Sequence, residues 1–228
     1  MTRRLAVQDL GQRGYRDVLE LQRSLCRQRM AGELDEDILL LVEHEPVITL
    51  GRGTRPESLP VPVHALEQRG IEVFEVERGG DVTFHGPGQL VGYPVVDLRQ
   101  HRQDLHWYLR RLEAGLITAL GELGVAAETN PGLTGVWTGG RKIASIGIHV
   151  KQWVTFHGFA LNVTTDLSYF DLIVPCGIRD VVMTSVSREL GRSDSASLWA
   201  EARQSVIEGV AVALDLEPTE TPMAIYPR

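Results

Sequence analysis

Hydrophobic and polar positions change period several times along the chain. Residues 4–9 alternate with the period of two of a short strand. Over residues 14–32, Tyr15, Val18, Leu19, Leu25 and Cys26 recur at helical spacing, which predicts an amphipathic helix with Cys26 in the core. Residues 38–43 and 47–50 predict two strands split by His44-Glu45-Pro46, because proline has no N–H to give a central ladder. Residues 63–69 predict a short helix ended by Gly70. Residues 72–78, 82–85 and 89–98 predict strands, the first two joined as a hairpin at Gly79-Gly80. Asp104 begins the clearest helix, with Leu105, Tyr108, Leu109, Leu112, Leu116, Leu120 and Leu123 on one face.

Beyond that helix, residues 136–138, 142–153 and 154–163 predict strands, the last two an antiparallel pair turning near residues 151–153. Residues 168–177 read as irregular and 197–214 as an amphipathic helix. Strands that come in runs, rather than alternating with helices, predict an α/β protein of the α+β type. The expected architecture is one domain over residues 1–217, a mixed and largely antiparallel sheet flanked by helices, with a loose tail over 218–228.

Composition narrows the function classes. A chain of 228 residues with 43% hydrophobic and 23% charged residues buries a sizeable core without metal or disulfide staples. Thirty acidic against 23 basic residues, net −7, argue against a nucleic-acid binder. The longest apolar runs are far too short to span a bilayer, and Met1-Thr2-Arg3-Arg4 is followed by polar residues rather than an apolar stretch. A cytoplasmic protein is therefore expected. Cys26 and Cys176 are the two cysteines, too few for a disulfide framework or a cysteine-rich zinc site. Of the 23 basic residues 21 are arginine, leaving only Lys142 and Lys151 as lysine.

Three places could carry chemistry. Cys176 sits between Pro175 and Gly177, on a turn where a thiol is either a small semi-buried hydrophobe or a nucleophile. Lys142 shares a strand face with Ala144, Ile146, Ile148 and Val150, at the end of an apolar row. It is either a snorkelling side chain with its ammonium in solvent or a desolvated amine able to act as a base. The third place, residues 78–89, has four glycines and a proline around a very short strand, without the Gly-Lys-Ser/Thr of a P-loop. His85 there is either a turn-stabilising or a ligand-facing histidine. His149 and His157 lie near one predicted hairpin, but without a third ligand they predict no metal.

RGGDVTFHGPGQLVGYPVVDL at 78–98, GVWTGGRKIASIGIHVKQWVTFHGFALNV at 135–163 and PCGI at 175–178 together resemble the lipoyl(octanoyl) transferase family. The resemblance spans about residues 37–186, roughly two-thirds of the chain. It implies a fold shared with biotin and lipoate protein ligases. It also implies an enzyme, an acyltransferase that moves an octanoyl group from acyl carrier protein to a lysine of lipoyl domains in 2-oxoacid dehydrogenase complexes and related proteins. Matched residue by residue, Cys176 corresponds to the acyl-carrying nucleophile and Lys142 to its acid/base partner. Arg78, Gly79, Gly80, Asp81, Val82, Thr83, Phe84 and His85 correspond to one segment lining the acyl and lysine site. Ser145, Ile146 and Gly147, with Gly158, Phe159 and Ala160, correspond to two others, and the glycines at 147 and 158 would let backbone approach the acyl chain. The Gly177 amide or a group of the His85 loop would steady the oxyanion.

Thioester exchange implies no ATP, no other cofactor and no metal. Both partners are acidic, so a chain of net −7 needs a local basic patch; Arg52, Arg55, Arg78 and Arg141 are the candidates, and a monomer is expected. Two alternatives stand beside this reading. An ATP-dependent lipoate or biotin protein ligase on the same fold would have no use for the Cys176 thiol. A non-catalytic acyl-carrier or lipoyl-domain binder would need neither Cys176 nor Lys142.

Overall fold

In the computed structural model, which describes residues 3–174 and 181–220, the apolar run at 38–42 is the middle of a strand buried on both faces. The strands are β1 (Arg3–Arg13), β2 (Asp37–His44), β3 (Val47–Leu50), β4 (Glu72–Glu75), β5 (Val82–His85) and β6 (Gln89–Val95), then β7 (Glu128–Asn130), β8 (Leu133–Thr138), β9 (Arg141–Lys151), β10 (Val154–Asn162) and β11 (Leu216–Glu220). The helices are α1 (Tyr15–Ala31), α2 (Val63–Glu67), α3 (Leu105–Glu122), α4 (Val186–Leu190) and α5 (Ser195–Leu214). Among the described residues no helix is long and apolar enough to cross a membrane.

Eight strands form a mixed sheet in the order β11-β1-β2-β6-β10-β9-β8-β7. The β11–β1 and β1–β2 pairs are parallel, and every later neighbour is antiparallel. Period two sorts the side chains. Leu5, Val7, Leu39, Leu41 and Leu161 face α3 and α5, whereas Ala6, Ile38, Leu40, Val42 and Ala160 face α1. Burying each of the leucine, isoleucine and valine side chains among them stabilises the fold by roughly 1.5–3 kcal/mol relative to leaving it exposed. Helices α3 and α5 cross where Gly115 meets Gly209; a Cβ on Gly209 would stand 2.3 Å from the Gly115 carbonyl oxygen, so only glycine permits the approach.

The helix starts agree with local chemistry. Asp104 caps α3 by accepting from the Trp107 N–H, and Gly32 closes α1 in the left-handed conformation. Cys26 is buried in the α1 stripe, as its spacing predicts. Leu105 is the exception on α3, exposed at the first turn, while Glu113 is fully buried on the same helix.

Three expectations need correction. Residues 72–78 and 82–85 do not form a hairpin: β3 lies between β4 and β5, parallel to the first and antiparallel to the second, in a separate three-stranded sheet. The glycine pair at 79–80 instead passes over the end of β3, where the Arg52 and Gly53 amides bond to the Arg78 and Gly80 carbonyls. The segment 218–220 is not loose, because it completes β11 on the edge of β1; residues 221–228 lie outside the described residues. Part of the stretch 168–177 is regular, since Leu167–Leu172 winds as a 3₁₀ helix.

Candidate active site

A cavity of about 230 Å³ lies between the main sheet and the small one. Its floor is set by strand register: Val91, Ala160 and Ser145 stand side by side on β6, β10 and β9. Its roof is the segment from Arg78 to His85, with Tyr15 of α1 beside it. Of the residues singled out in the sequence, Arg78, Gly80, Asp81, Val82, Thr83 and His85 line it from above. Ser145, Ile146, Gly147, Gly158, Phe159, Ala160 and Lys142 line it from the sheet. Gly79 and Phe84 do not line it. The Gly79 amide ties the roof to β9 by bonding to the Ile148 carbonyl at 2.8 Å, and Phe84 turns away to stack on Tyr169 at 4.5 Å.

Lys142 is 2% exposed, so the snorkelling alternative does not hold. Its backbone N–H and C=O pair with the Val182 carbonyl and the Thr184 amide. Its ammonium stands 5.5 Å from the Trp137 ring centroid. The stem passes over Gly135, which has φ +126° and whose amide is held by the buried Glu113 carboxylate at 3.0 Å. Arg110 pairs with that same carboxylate. Cys176, Pro175, Gly177 and Ile178 lie outside the described residues.

The remaining roof residues are held by the fold. Arg78 is buried, its guanidinium bonding to the Thr49 carbonyl at 2.7 Å and to Thr49 Oγ1. It is therefore no part of a docking patch, and Arg141 is committed to a bidentate pair with Glu189. Arg52 and Arg55 remain exposed, though neither lines the cavity. Asp81 accepts from Ser58 Oγ and from the Val82 amide, which pins the start of β5. Gly147 and Gly158, which line the cavity, are also required by the packing of the protein itself. A Cβ at 147 would meet the Gly79 carbonyl at 2.9 Å, and one at 158 the Gly92 carbonyl at 2.2 Å.

The histidines divide. Burial lowers the His85 pKa to about 3 and the His44 pKa to about 4, so both rings are neutral near pH 7. His149 bonds to the Glu77 carbonyl and packs on Phe156. His157 is buried at φ +58°, lines the cavity, and stands 3.7 Å from the Glu77 carboxylate, beyond hydrogen-bonding reach. Both histidines thus approach Glu77, one at its carbonyl and one at its carboxylate, and no group of three or more His, Cys, Asp or Glu placed to hold a metal occurs among the described residues. Tyr15, Tyr93 and Trp137 also line the cavity without having been singled out. Each sits at a position that periodicity reads as core, and nothing in the local spacing separates a cavity wall from packing.

The chain matches the model of the lipoyl protein ligase A/B catalytic domain over residues 14–209. It is 44% identical to a Myxococcus xanthus octanoyltransferase over 96% of its own length, and it spans 62% of that protein. It is 53% identical to a Solibacter usitatus octanoyltransferase, over 77% of this chain and 80% of that one. Among solved structures, a bipartite lipoate protein ligase from Thermoplasma acidophilum superposes with a TM-score of 0.72 at 18% identity, covering 99% of this chain and 88% of that one, a likeness of fold alone. On the family match over most of its length, the chain belongs to the lipoyl protein ligase A/B catalytic-domain family.

Proposed function

We propose that this chain is an octanoyltransferase, an acyltransferase that moves an octanoyl group from acyl carrier protein to a lipoyl-domain lysine through a thioester on Cys176. The observation that carries this reading is Lys142, fully buried on the wall of the cavity beside the roof segment. An amine on that wall is placed to take and return protons of groups reacting in the cavity.

In the first half-reaction Lys142 takes the Cys176 proton, and the thiolate attacks the octanoyl thioester carbonyl. The donor C–S bond breaks, and Lys142 returns the proton to the departing carrier thiol. In the second, the acceptor amine attacks the Cys176 thioester. The enzyme C–S bond breaks as the amide forms, and Lys142 passes the amine's proton to the Cys176 sulfur. One thioester is exchanged for another before the amide forms, so no ATP is consumed. The apolar part of the wall, including Val91, Ile146, Phe159 and Ala160, suits an alkyl chain. In this reading the enzyme acts as a cytoplasmic monomer without metal or cofactor, and Arg52 and Arg55 meet its acidic partners.

The test is a transfer assay with octanoyl-acyl carrier protein and a lipoyl domain in the absence of ATP, read as the mass gain on the lipoyl domain. Transfer is expected for wild type and lost in Lys142→Arg, whose circular dichroism stays native. Transfer only from free octanoate with ATP would overturn the reading in favour of a ligase.

A further inference from the structure

A buried hydrogen-bond relay joins Thr184, Asn162, Gln89 and His85, and backbone carbonyls fix its direction. Asn162 Nδ2 bonds to the Thr184 carbonyl at 3.0 Å. A carbonyl only accepts, so the Asn162 amide nitrogen is the donor there and its Oδ1 turns toward Gln89. That Oδ1 accepts from Gln89 Nε2 at 2.9 Å, and the same nitrogen also donates to the Phe84 carbonyl at 3.2 Å. Both amide hydrogens of Gln89 are then used. Its Oε1, 2.8 Å from His85 Nδ1, therefore accepts, and Nδ1 carries the hydrogen.

His85 is neutral, because burial and the neighbouring His44 disfavour a second proton. A neutral imidazole protonated on Nδ1 presents a lone pair at Nε2. That atom has no hydrogen-bond partner among the described residues, and the ring lines the cavity at 6% exposure. Tyr15 stacks on the ring with planes 9° apart, which fixes its tilt. Next to it His44 is locked in the same tautomer, donating from Nδ1 to the Arg13 carbonyl and facing the Tyr93 hydroxyl with Nε2.

We propose that His85 orients the acceptor lysine in the transfer step, its Nε2 accepting a hydrogen bond from the N–H of the attacking amine. This rests on the octanoyltransferase reading. Of the two reacting groups that enter the cavity, the octanoyl thioester offers only acceptors, while the amine offers N–H donors. A ring locked this way cannot donate from Nε2, so it does not steady the oxyanion. With one N–H held by His85, the amine's own lone pair is left to attack the thioester carbon. The proton lost in that attack goes to Lys142. The relay ends on Thr184, whose amide bonds to the Lys142 carbonyl at 2.9 Å, so the orienting group and the base are anchored to one residue.

The experiment separates the half-reactions. Wild type and His85→Phe are charged with octanoyl-acyl carrier protein, then mixed with a lipoyl domain, and each step is followed by intact mass. The expected result is a discharge step slowed on the order of 100-fold, at least tenfold more than acylation, as a misplaced reacting group predicts. Equal losses in both steps, or none, would overturn the proposal. Side-chain ¹⁵N spectra of wild-type enzyme give a second readout that needs no variant. They are expected to show His85 as the neutral Nδ1–H form at pH 6–8, and an Nε2–H or doubly protonated ring would also overturn it. A wild type that never acylates would instead overturn the transferase reading itself.

Discussion

Gly135 lies under the side chain of Lys142: a Cβ at position 135 would stand 2.8 Å from Lys142 Cε and 3.3 Å from Nζ. It would also stand 2.7 Å from the Ala144 carbonyl oxygen, and φ of +126° is a conformation that L side chains rarely adopt. Gly135→Ala must therefore shift backbone or displace the lysine. Its strain is expected to cost about 1–3 kcal/mol of stability. Transfer is expected to fall on the order of 100-fold or more at temperatures where the variant is still folded, because the base is misplaced. Denaturation curves run beside initial rates check this; a rate that falls only with the folded fraction would contradict it.

Four histidines carry a pH dependence with a defined sign. Burial lowers the His44 and His85 pKa values from 6.5 to about 4 and about 3, and it lowers His149 and His157 in the same direction. Between pH 6.5 and about 4 the unfolded chain takes up protons that the native one refuses, so stability falls as pH falls and is level with respect to these groups above 7. Each group fully depressed in that window removes up to about 1.4 kcal/mol per pH unit. Urea midpoints at pH 7.5, 6 and 5 should decline in that order, with a shallower slope in His44→Phe. Constant midpoints would refute the assignment.

The limits of sequence reading follow from what each feature depends on. Long elements that bury one face, such as α1 and α3, or that pair with their sequence neighbour, such as β9 and β10, show their period directly. The three-stranded sheet does not, because β3, β4 and β5 are four residues each and their pairing joins segments more than twenty residues apart. For the same reason β11, whose sheet neighbour is β1, more than two hundred residues away, looks like tail. The cavity segments were legible as motifs, but their division of labour was not. Arg78 looks like a docking charge until Thr49 is seen holding it, and Glu113 sits unannounced among the leucines of α3.

The buried pair of Arg29 and Asp37 supports the sheet away from the cavity. Asp37 is 2% exposed and accepts from Arg29 at 3.1 Å, from the Asp97 amide at 3.0 Å, and sits 2.6 Å from His101 Nε2. Arg29→Met removes one partner and leaves a buried carboxylate under-compensated. A loss of about 3–5 kcal/mol is expected in chemical denaturation, with the transfer rate of the folded enzyme unchanged. A loss below about 1 kcal/mol would contradict this account of the pair.

In the octanoyltransferase reading, docking of acidic partners is assigned to Arg52 and Arg55, which are exposed. Reversing both charges, Arg52→Glu with Arg55→Glu, should slow association with acyl carrier protein several-fold at low salt and flatten its dependence on ionic strength. The single-turnover rate of the bound complex should not change. Stopped-flow binding at two salt concentrations distinguishes this from a patch elsewhere, for which neither quantity moves.

The central claim is a thioester carried by Cys176 and formed with Lys142 as base. Its most direct test is an intact-mass spectrum of the enzyme after mixing with octanoyl-acyl carrier protein, beside Cys176→Ser. The account predicts one octanoyl adduct on wild type, absent from the variant and discharged when a lipoyl domain is added. A folded wild-type enzyme that gains no adduct, or a variant that gains the same one, would contradict it.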